Sequence, residues 1–75
     1  MKPAQLTQTI SDTLVELRKS ERKVAEFVLK EPLGVIRMRI VDLAQQAGVS
    51  EPTVVRFCRA VGCHGFQDFK LALAQ

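Results

Sequence analysis

Apolar residues recur at helical spacing along most of the chain. Leu6, Ile10, Leu14 and Leu17 follow one another at intervals of four, four and three residues, which places them on one face of an amphipathic helix. No segment alternates apolar and polar residues in the way a half-buried strand does. Because no repeat or Ser/Gly-rich linker divides the chain, the pattern predicts an all-α fold in a single domain over residues 1–75.

Local start and stop signals divide the rest of the chain into shorter helices. Ser20 is the predicted N-cap of the second helix. That helix ends before Pro32, because the residue preceding a proline avoids helical conformation. The predicted segments cover residues 21–30, a single turn over 33–36, residues 41–47, residues 51–61 and a last helix from Phe66 onward. We therefore expect a compact bundle of about five helices.

The break at residues 48–50 is the most informative feature of the pattern. Gly48 lets the chain adopt a positive φ at the end of a helix. Val49 is apolar and predicted to be buried, and Ser50 is a suitable N-cap for the helix that follows. Two helices joined by a short turn with a buried centre form a helix-turn-helix. An ordinary helical hairpin that does not contact DNA is the alternative.

The helix over residues 51–61 has an outward face suited to reading DNA. Its inward stripe consists of Val54, Phe57, Cys58 and Val61. On the opposite face, arginine can bond guanine O6 and N7 together, and valine can contact a thymine methyl group. The base-reading candidates are Ser50, Pro52, Thr53, Val55, Arg56 and Arg59. The alternatives are completion of the core for Val55 and a solvated or paired surface position for the two arginines.

Charge and composition agree with a nucleic-acid partner without proving one. The net charge is +3, and the chain has no Trp, no Tyr and four Phe. A mildly basic balance is compatible with nucleic acid, while the scarcity of aromatic residues argues against stacking platforms for single strands. No apolar run approaches the roughly 20 residues of a membrane span, and two cysteines are too few for a disulfide-stapled secreted module. We expect a cytoplasmic protein.

Polar residues around the motif are candidates for contacts with DNA phosphates. The helix over 41–47 is expected to cross the DNA backbone with two glutamines on its exposed side, and a cation precedes it. The phosphate candidates are Arg39, Gln45, Gln46, His64 and Lys70. Ordinary solvated surface is the alternative for these positions.

The sequence gives little support to metal binding, redox chemistry or catalysis. Cys58, Cys63 and His64 supply at most three metal ligands, whereas a structural zinc site needs four. A Cys58–Cys63 disulfide, or a redox sensor that uses a more exposed Cys63, is a further alternative. We interpret the N-terminal acids as surface charge: Asp12, Glu16, Glu21, Glu26 and Glu31. We predict no metal, no cofactor and no catalytic residue, so the chain is not expected to be an enzyme.

Two segments resemble a known family. The run VDLAQQAGVSEPTVVRFCRAVG over residues 41–62 and the run GFQDFKLAL over residues 65–73 are similar to the N-terminal domain of RpiR-type bacterial transcriptional regulators. Residues 20–25 and Pro32 fit as well, so the resemblance covers nearly the whole chain. Many relatives have Ser or Thr where this chain has Arg39, which is expected to weaken the N-cap at that position.

The resemblance implies a function and partners. It implies a homeodomain-like helix-turn-helix that binds double-stranded DNA sequence-specifically, with helix 51–61 in the major groove, in a homodimeric regulator of hexose catabolism. It also implies a C-terminal sugar-isomerase-like domain that binds a sugar phosphate; residues 1–75 do not contain it and are expected to bind none. The alternative is a helical protein-interaction or dimerisation module without DNA readout, which would use the N-terminal apolar stripe.

Overall fold

The computed structural model describes residues 3–75, with side chains from Leu6 onward, and contains no strand in that range. Its elements are α1 (Pro3–Thr13), a 3-10 turn (Leu14–Glu16), α2 (Lys19–Lys30), α3 (Pro32–Ile36), α4 (Ile40–Ala47), α5 (Glu51–Ala60) and α6 (Phe66–Ala74). The all-α prediction is confirmed. The turn behind Pro32 is a helix in its own right, so the bundle has six α-helices in the described range rather than about five.

The N-terminal apolar stripe spans two elements instead of one helix. α1 ends at Thr13, and the chain becomes extended at Leu17, where ψ is 148°. In a 3-10 helix, residues three apart lie on the same side, which matches the spacing of Leu14 and Leu17. Leu17 is consequently buried and Leu14 packs against the core. The predicted burial is therefore confirmed, and the predicted single helix is wrong.

α2 begins before its predicted N-cap. Arg18 is the N-cap, and Ser20 is already the second residue of the helix. The carboxylate of Glu21 accepts a hydrogen bond from the Arg18 backbone N–H, with an N···O distance of 3.4 Å. This is the acidic half of a capping box, since arginine has no acceptor for the other half. The carboxylate of Glu21, inside α2, thus makes the capping hydrogen bond that was expected from the hydroxyl of Ser20.

The core lies between α2 and the helices around it. α2 packs against α1, α3, α4 and α5, while α6 closes the bundle against α1, α3 and α5. The rings of Phe57 and Phe69 meet edge to face, with their centroids 5.4 Å apart. The predicted inward stripe is confirmed, because Val54, Phe57 and Cys58 of α5 are buried together with Val61 directly after it. None of the helices described in residues 3–75 is long and apolar enough to cross a membrane.

Candidate nucleic-acid interface

The turn between α4 and α5 has the geometry that its sequence predicts. Gly48 has a φ of 73° and a ψ of 37°, in the left-handed region. The Val49 N–H donates to the Ala44 carbonyl at 2.9 Å, and the Gly48 N–H donates to the Gln45 carbonyl at 3.2 Å. These two bonds form a Schellman motif, which ends α4 abruptly. Val49 is half-buried against the core, and α5 starts directly after Ser50.

An open groove runs along the outward face of α5. Its volume is about 470 Å³, and it is lined by Ile40, Glu51, Pro52, Val55, Arg56 and Arg59. Four of the six base-reading candidates therefore lie on one surface. Pro52 and both arginines are exposed, while Val55 is half-buried. Glu51 adds one negative charge beside the positive N-terminal end of the α5 dipole.

Arg56 is held in place, although half of its side chain faces solvent. The side chain is 53% exposed. Its Nη2 donates to the hydroxyl of Thr53 at 3.0 Å, and its Nε lies 3.9 Å from a carboxylate oxygen of Glu21 on α2. In contrast, Arg59 has no ion pair or side-chain hydrogen bond within the described part of the chain.

Thr53 requires a correction, because it was expected to present its hydroxyl to a base. The residue is only 4% exposed. Its hydroxyl lies 3.0 Å from the Ser50 Oγ and accepts the bond from Arg56. Its backbone N–H also donates to the Ser50 Oγ, at 3.4 Å, which completes the N-cap of α5. Thr53 thus holds the two neighbouring candidates, Ser50 and Arg56, from below the surface.

Glu21 requires the opposite correction, since it is predicted to be a surface charge. It is 7% exposed and packed where α2 meets α5. A signal for this was present, because Glu21 shares the helical spacing of Val24, Ala25 and Val28, which form the buried face of α2. A carboxylate on an apolar stripe needs a partner, and Arg56 provides one.

Arg39 lies at the start of α4 and is paired with Asp42. Its Nε and Nη2 each lie 3.2 Å from an oxygen of that carboxylate, and its backbone N–H donates to the same group at 3.0 Å. The N-cap expected to be weak is therefore supplied by Asp42 from within the helix. These bonds hold the pKa of Asp42 below its ordinary value and raise the pKa of Arg39. Arg39 remains exposed, next to the groove residue Ile40.

The other phosphate candidates lie on different parts of the surface. Gln45 and Gln46 are exposed on α4, as predicted. His64 is exposed ahead of α6, and its backbone N–H donates to Asp68 at 2.8 Å. Lys70 is half-buried; its Nζ donates to the Met38 carbonyl at 2.9 Å and lies 4.9 Å from the centre of the Phe66 ring. Part of its donor capacity is thus already used within the domain.

Both cysteines are free and buried. Cys63 is the more exposed of the two, as expected, at 9% against 0% for Cys58. Burial raises the pKa of Cys58 to about 12, and the nearby Cys63 adds to this effect. Burial and the charge of Asp68 also raise the pKa of Cys63. Both groups are therefore protonated thiols at neutral pH, the less reactive form. Within residues 3–75, no three His, Cys, Asp or Glu side chains are grouped to hold a metal ion.

The fold and the groove together define a class of protein. A short turn ending in a left-handed glycine, a capped second helix and an outward face carrying two exposed arginines are the features of a helix-turn-helix DNA-binding domain. Residues 4–75 match the helix-turn-helix domain of the rpiR family. The chain belongs to this family, and the predicted resemblance is confirmed.

Individual relatives agree with this assignment. The chain is 51% identical over 70 residues to the HTH-type transcriptional regulator HexR of Pseudomonas aeruginosa, covering 93% of this chain and 25% of that protein. The crystal structure of the N-terminal domain of ybbH from Bacillus subtilis superposes with a TM-score of 0.87 at 32% identity, covering 92% of this chain and 84% of that one. The Vibrio vulnificus NanR protein complexed with ManNAc-6P gives a TM-score of 0.89 at 38% identity, covering 92% and 26%.

The matched relatives differ in how much of their own length this chain covers. The chain spans about a quarter of the length of HexR and of NanR. The ybbH domain, in contrast, is matched over most of its own length. The comparisons therefore establish a helix-turn-helix DNA-binding domain.

Proposed function

We propose that the chain is the DNA-binding domain of a bacterial transcriptional regulator of sugar catabolism, acting in the cytoplasm on double-stranded DNA. α5 enters the major groove, where Arg56 and Arg59 bond base edges and Val55 contacts thymine methyl groups. Ser50 and Pro52 lie at the N-terminal end of α5, the part of a recognition helix that contacts base edges. The domain binds and carries out no catalysis.

One observation carries this proposal. The outward face of α5 collects two exposed arginines and an apolar side chain in a single open groove. An ordinary solvent-exposed helix face does not require two arginines beside an apolar side chain. The groove also lies beside the turn that sets α5 against α4, so the helix projects as a fixed reading surface.

Side chains around the groove supply the phosphate contacts. In a helix-turn-helix, the first helix crosses the DNA backbone, and here that helix is α4 with Gln45 and Gln46 exposed. Further donors come from Arg39 just before α4, His64 before α6 and Lys70 in the middle of α6. Such contacts fix the register of α5 on the duplex and carry no base preference of their own.

Selection of bound sequences from a random duplex pool tests the proposal, followed by binding of substituted proteins to the selected duplex. Arg56→Ala is expected to cost roughly 1–3 kcal/mol of binding free energy and to relax preference at one base pair. Arg22→Ala is the matched control, since it removes an exposed arginine on α2 beside Leu14 and Val15, outside the groove.

The outcomes separate DNA reading from a protein-interaction function. The proposal is supported if a defined sequence is enriched and if binding to it is weakened by Arg56→Ala but not by Arg22→Ala. Failure to enrich any sequence, or equal loss with both substitutions, contradicts it. General attraction to DNA is recognised separately, because it weakens steeply with salt on every duplex alike.

A further proposal concerns the partners of the intact protein. We infer that the intact protein is a homodimer and that a sugar phosphate controls its binding to DNA. NanR supports the second inference, because its structure contains ManNAc-6P. The effector site is expected outside residues 1–75. Calorimetric titration of the 75-residue chain with hexose phosphates should show no binding; micromolar binding would contradict this.

A further inference from the structure

Glu21 is the carboxylate that sits behind the reading face of α5. It belongs to α2, outside the helix-turn-helix, and is one of two polar residues in the described core, the other being Thr53. One of its oxygens accepts from the Arg18 N–H at 3.4 Å, and the other lies 3.9 Å from the Nε of Arg56. Glu21 thus connects the start of α2 to the middle of α5.

We propose that Glu21 is a positioning residue for base readout, which fixes the guanidinium of Arg56 so that its free edge faces the DNA. This inference rests on the proposed function of α5. The carboxylate of Glu21 forms an ion pair with the Nε of Arg56 at 3.9 Å, and the hydroxyl of Thr53 accepts a hydrogen bond from Nη2 at 3.0 Å. Arginine has five N–H donors, so donors remain for the bidentate bond to a guanine.

Because Arg56 is already held in one conformation in the free domain, little side-chain entropy is lost when it binds DNA. A long, free side chain must be immobilised on binding, and that loss of entropy weakens the contact. Arg59 lies on the same groove without such anchors in the described chain, so Arg56 is expected to contribute the sharper preference. The negative charge of Glu21 also opposes DNA phosphates, which lowers the sequence-independent attraction to every duplex.

Glu21→Gln is a selective test of the carboxylate charge. Glutamine has nearly the same shape and still accepts the Arg18 N–H, so the cap of α2 is kept while the charge facing Arg56 is lost. Glu26→Gln is the matched control, because it removes one carboxylate from an exposed position of the same helix. Both proteins are compared with wild type on the duplex selected by wild type and on duplexes changed at single base pairs.

The expected result is a loss of discrimination at one position. Glu21→Gln should reduce preference at the base pair read by Arg56 by at least about threefold, the scale of coupling between contacting side chains. Affinity for random duplex should be unchanged or higher. In an Arg56→Ala background, Glu21→Gln should have no further effect at that base pair. A purely structural role would instead weaken all duplexes alike and would persist in that background.

A measurement on wild type makes the test independent of how the variants fold. Side-chain ¹⁵N relaxation should show the Nε of Arg56 to be more ordered than that of Arg59 in the free domain. Equal disorder at the two positions, or unchanged base preference in folded Glu21→Gln, would overturn the proposal for Glu21. If wild type selects no sequence at all, the proposed function of α5 fails instead.

Discussion

At the scale of single residues, the two arginines of the groove differ in how they are held. Arg56 is anchored by Thr53 and Glu21, whereas Arg59 extends from the same helix face one turn later. The outward placement of both could be predicted from helical spacing alone. The anchors could not, because they depend on which face of α2 meets α5, and that contact joins residues far apart in the chain.

The hydroxyl of Thr53 is expected to support both stability and readout. Thr53→Val keeps the volume of the buried side chain but removes its bonds to Ser50 and Arg56. We expect the free energy of unfolding to fall by about 0.5–1.5 kcal/mol, with weaker preference at the base pair read by Arg56. Thr53→Ser keeps the hydroxyl and is the control. Urea unfolding that gives equal stability for wild type and Thr53→Val would contradict this role.

The buried thiol of Cys58 predicts a loss of stability at alkaline pH. Its pKa is about 12 in the folded domain and 9.0 ordinarily, so the unfolded chain loses the proton first. The thiol's contribution to stability is therefore complete below pH 9 and disappears as the pH rises toward 12. Urea unfolding of wild type and Cys58→Val, below and above pH 9, measures this contribution. The decline should be shallower in the variant, and identical declines would contradict the prediction.

At the scale of elements, the turn between α4 and α5 was predictable because its signals are local. Gly48, Ser50 and Pro52 each act on neighbouring backbone groups, so their order in the sequence specifies the turn. The start of α2 and the end of α1 were not predicted correctly. At the start of α2, the cap is made by Glu21 from inside the helix. At the end of α1, a 3-10 turn keeps the same spacing of apolar residues as a continuous helix, so the spacing does not distinguish the two.

Substitution of Gly48 tests whether the turn holds α5 against α4. Gly48→Ala is expected to destabilise the domain by about 1–2 kcal/mol, because a Cβ is unfavourable at positive φ. A Cβ at Gly48 would meet no atom within 4 Å, so the cost is one of backbone conformation rather than of crowding.

Gly65→Ala is the matched control for this prediction. Gly65 has a φ of 179°, which any residue adopts, and there is equal room for a Cβ. Because Gly65 is the N-cap of α6, where alanine is less favourable than glycine, the gain from a less flexible unfolded chain is offset. That substitution is expected to change the free energy of unfolding by less than about 0.5 kcal/mol. Thermal unfolding of both variants measures the contrast. Equal effects would show that the left-handed turn does not carry the stability assigned to it.

At the scale of the whole molecule, the N-terminal stripe is used within the domain's own core. Leu6, Ile10 and Leu17 are buried, so they are not available as the dimerisation surface of the alternative function. We expect the 75-residue chain to be a monomer or a weak dimer at low micromolar concentration, as measured by sedimentation equilibrium. A stable dimer would require another surface of the domain to form an interface.

The central claim is that α5 is the surface that meets the major groove, and an NMR titration tests it most directly. At 8.4 kDa, the domain allows every backbone amide to be followed while the selected duplex is added. The largest changes should fall on residues 50–59, with smaller ones at Arg39, Gln45, Gln46 and His64. Changes concentrated on α1 and α3, with α5 unaffected, would contradict the account.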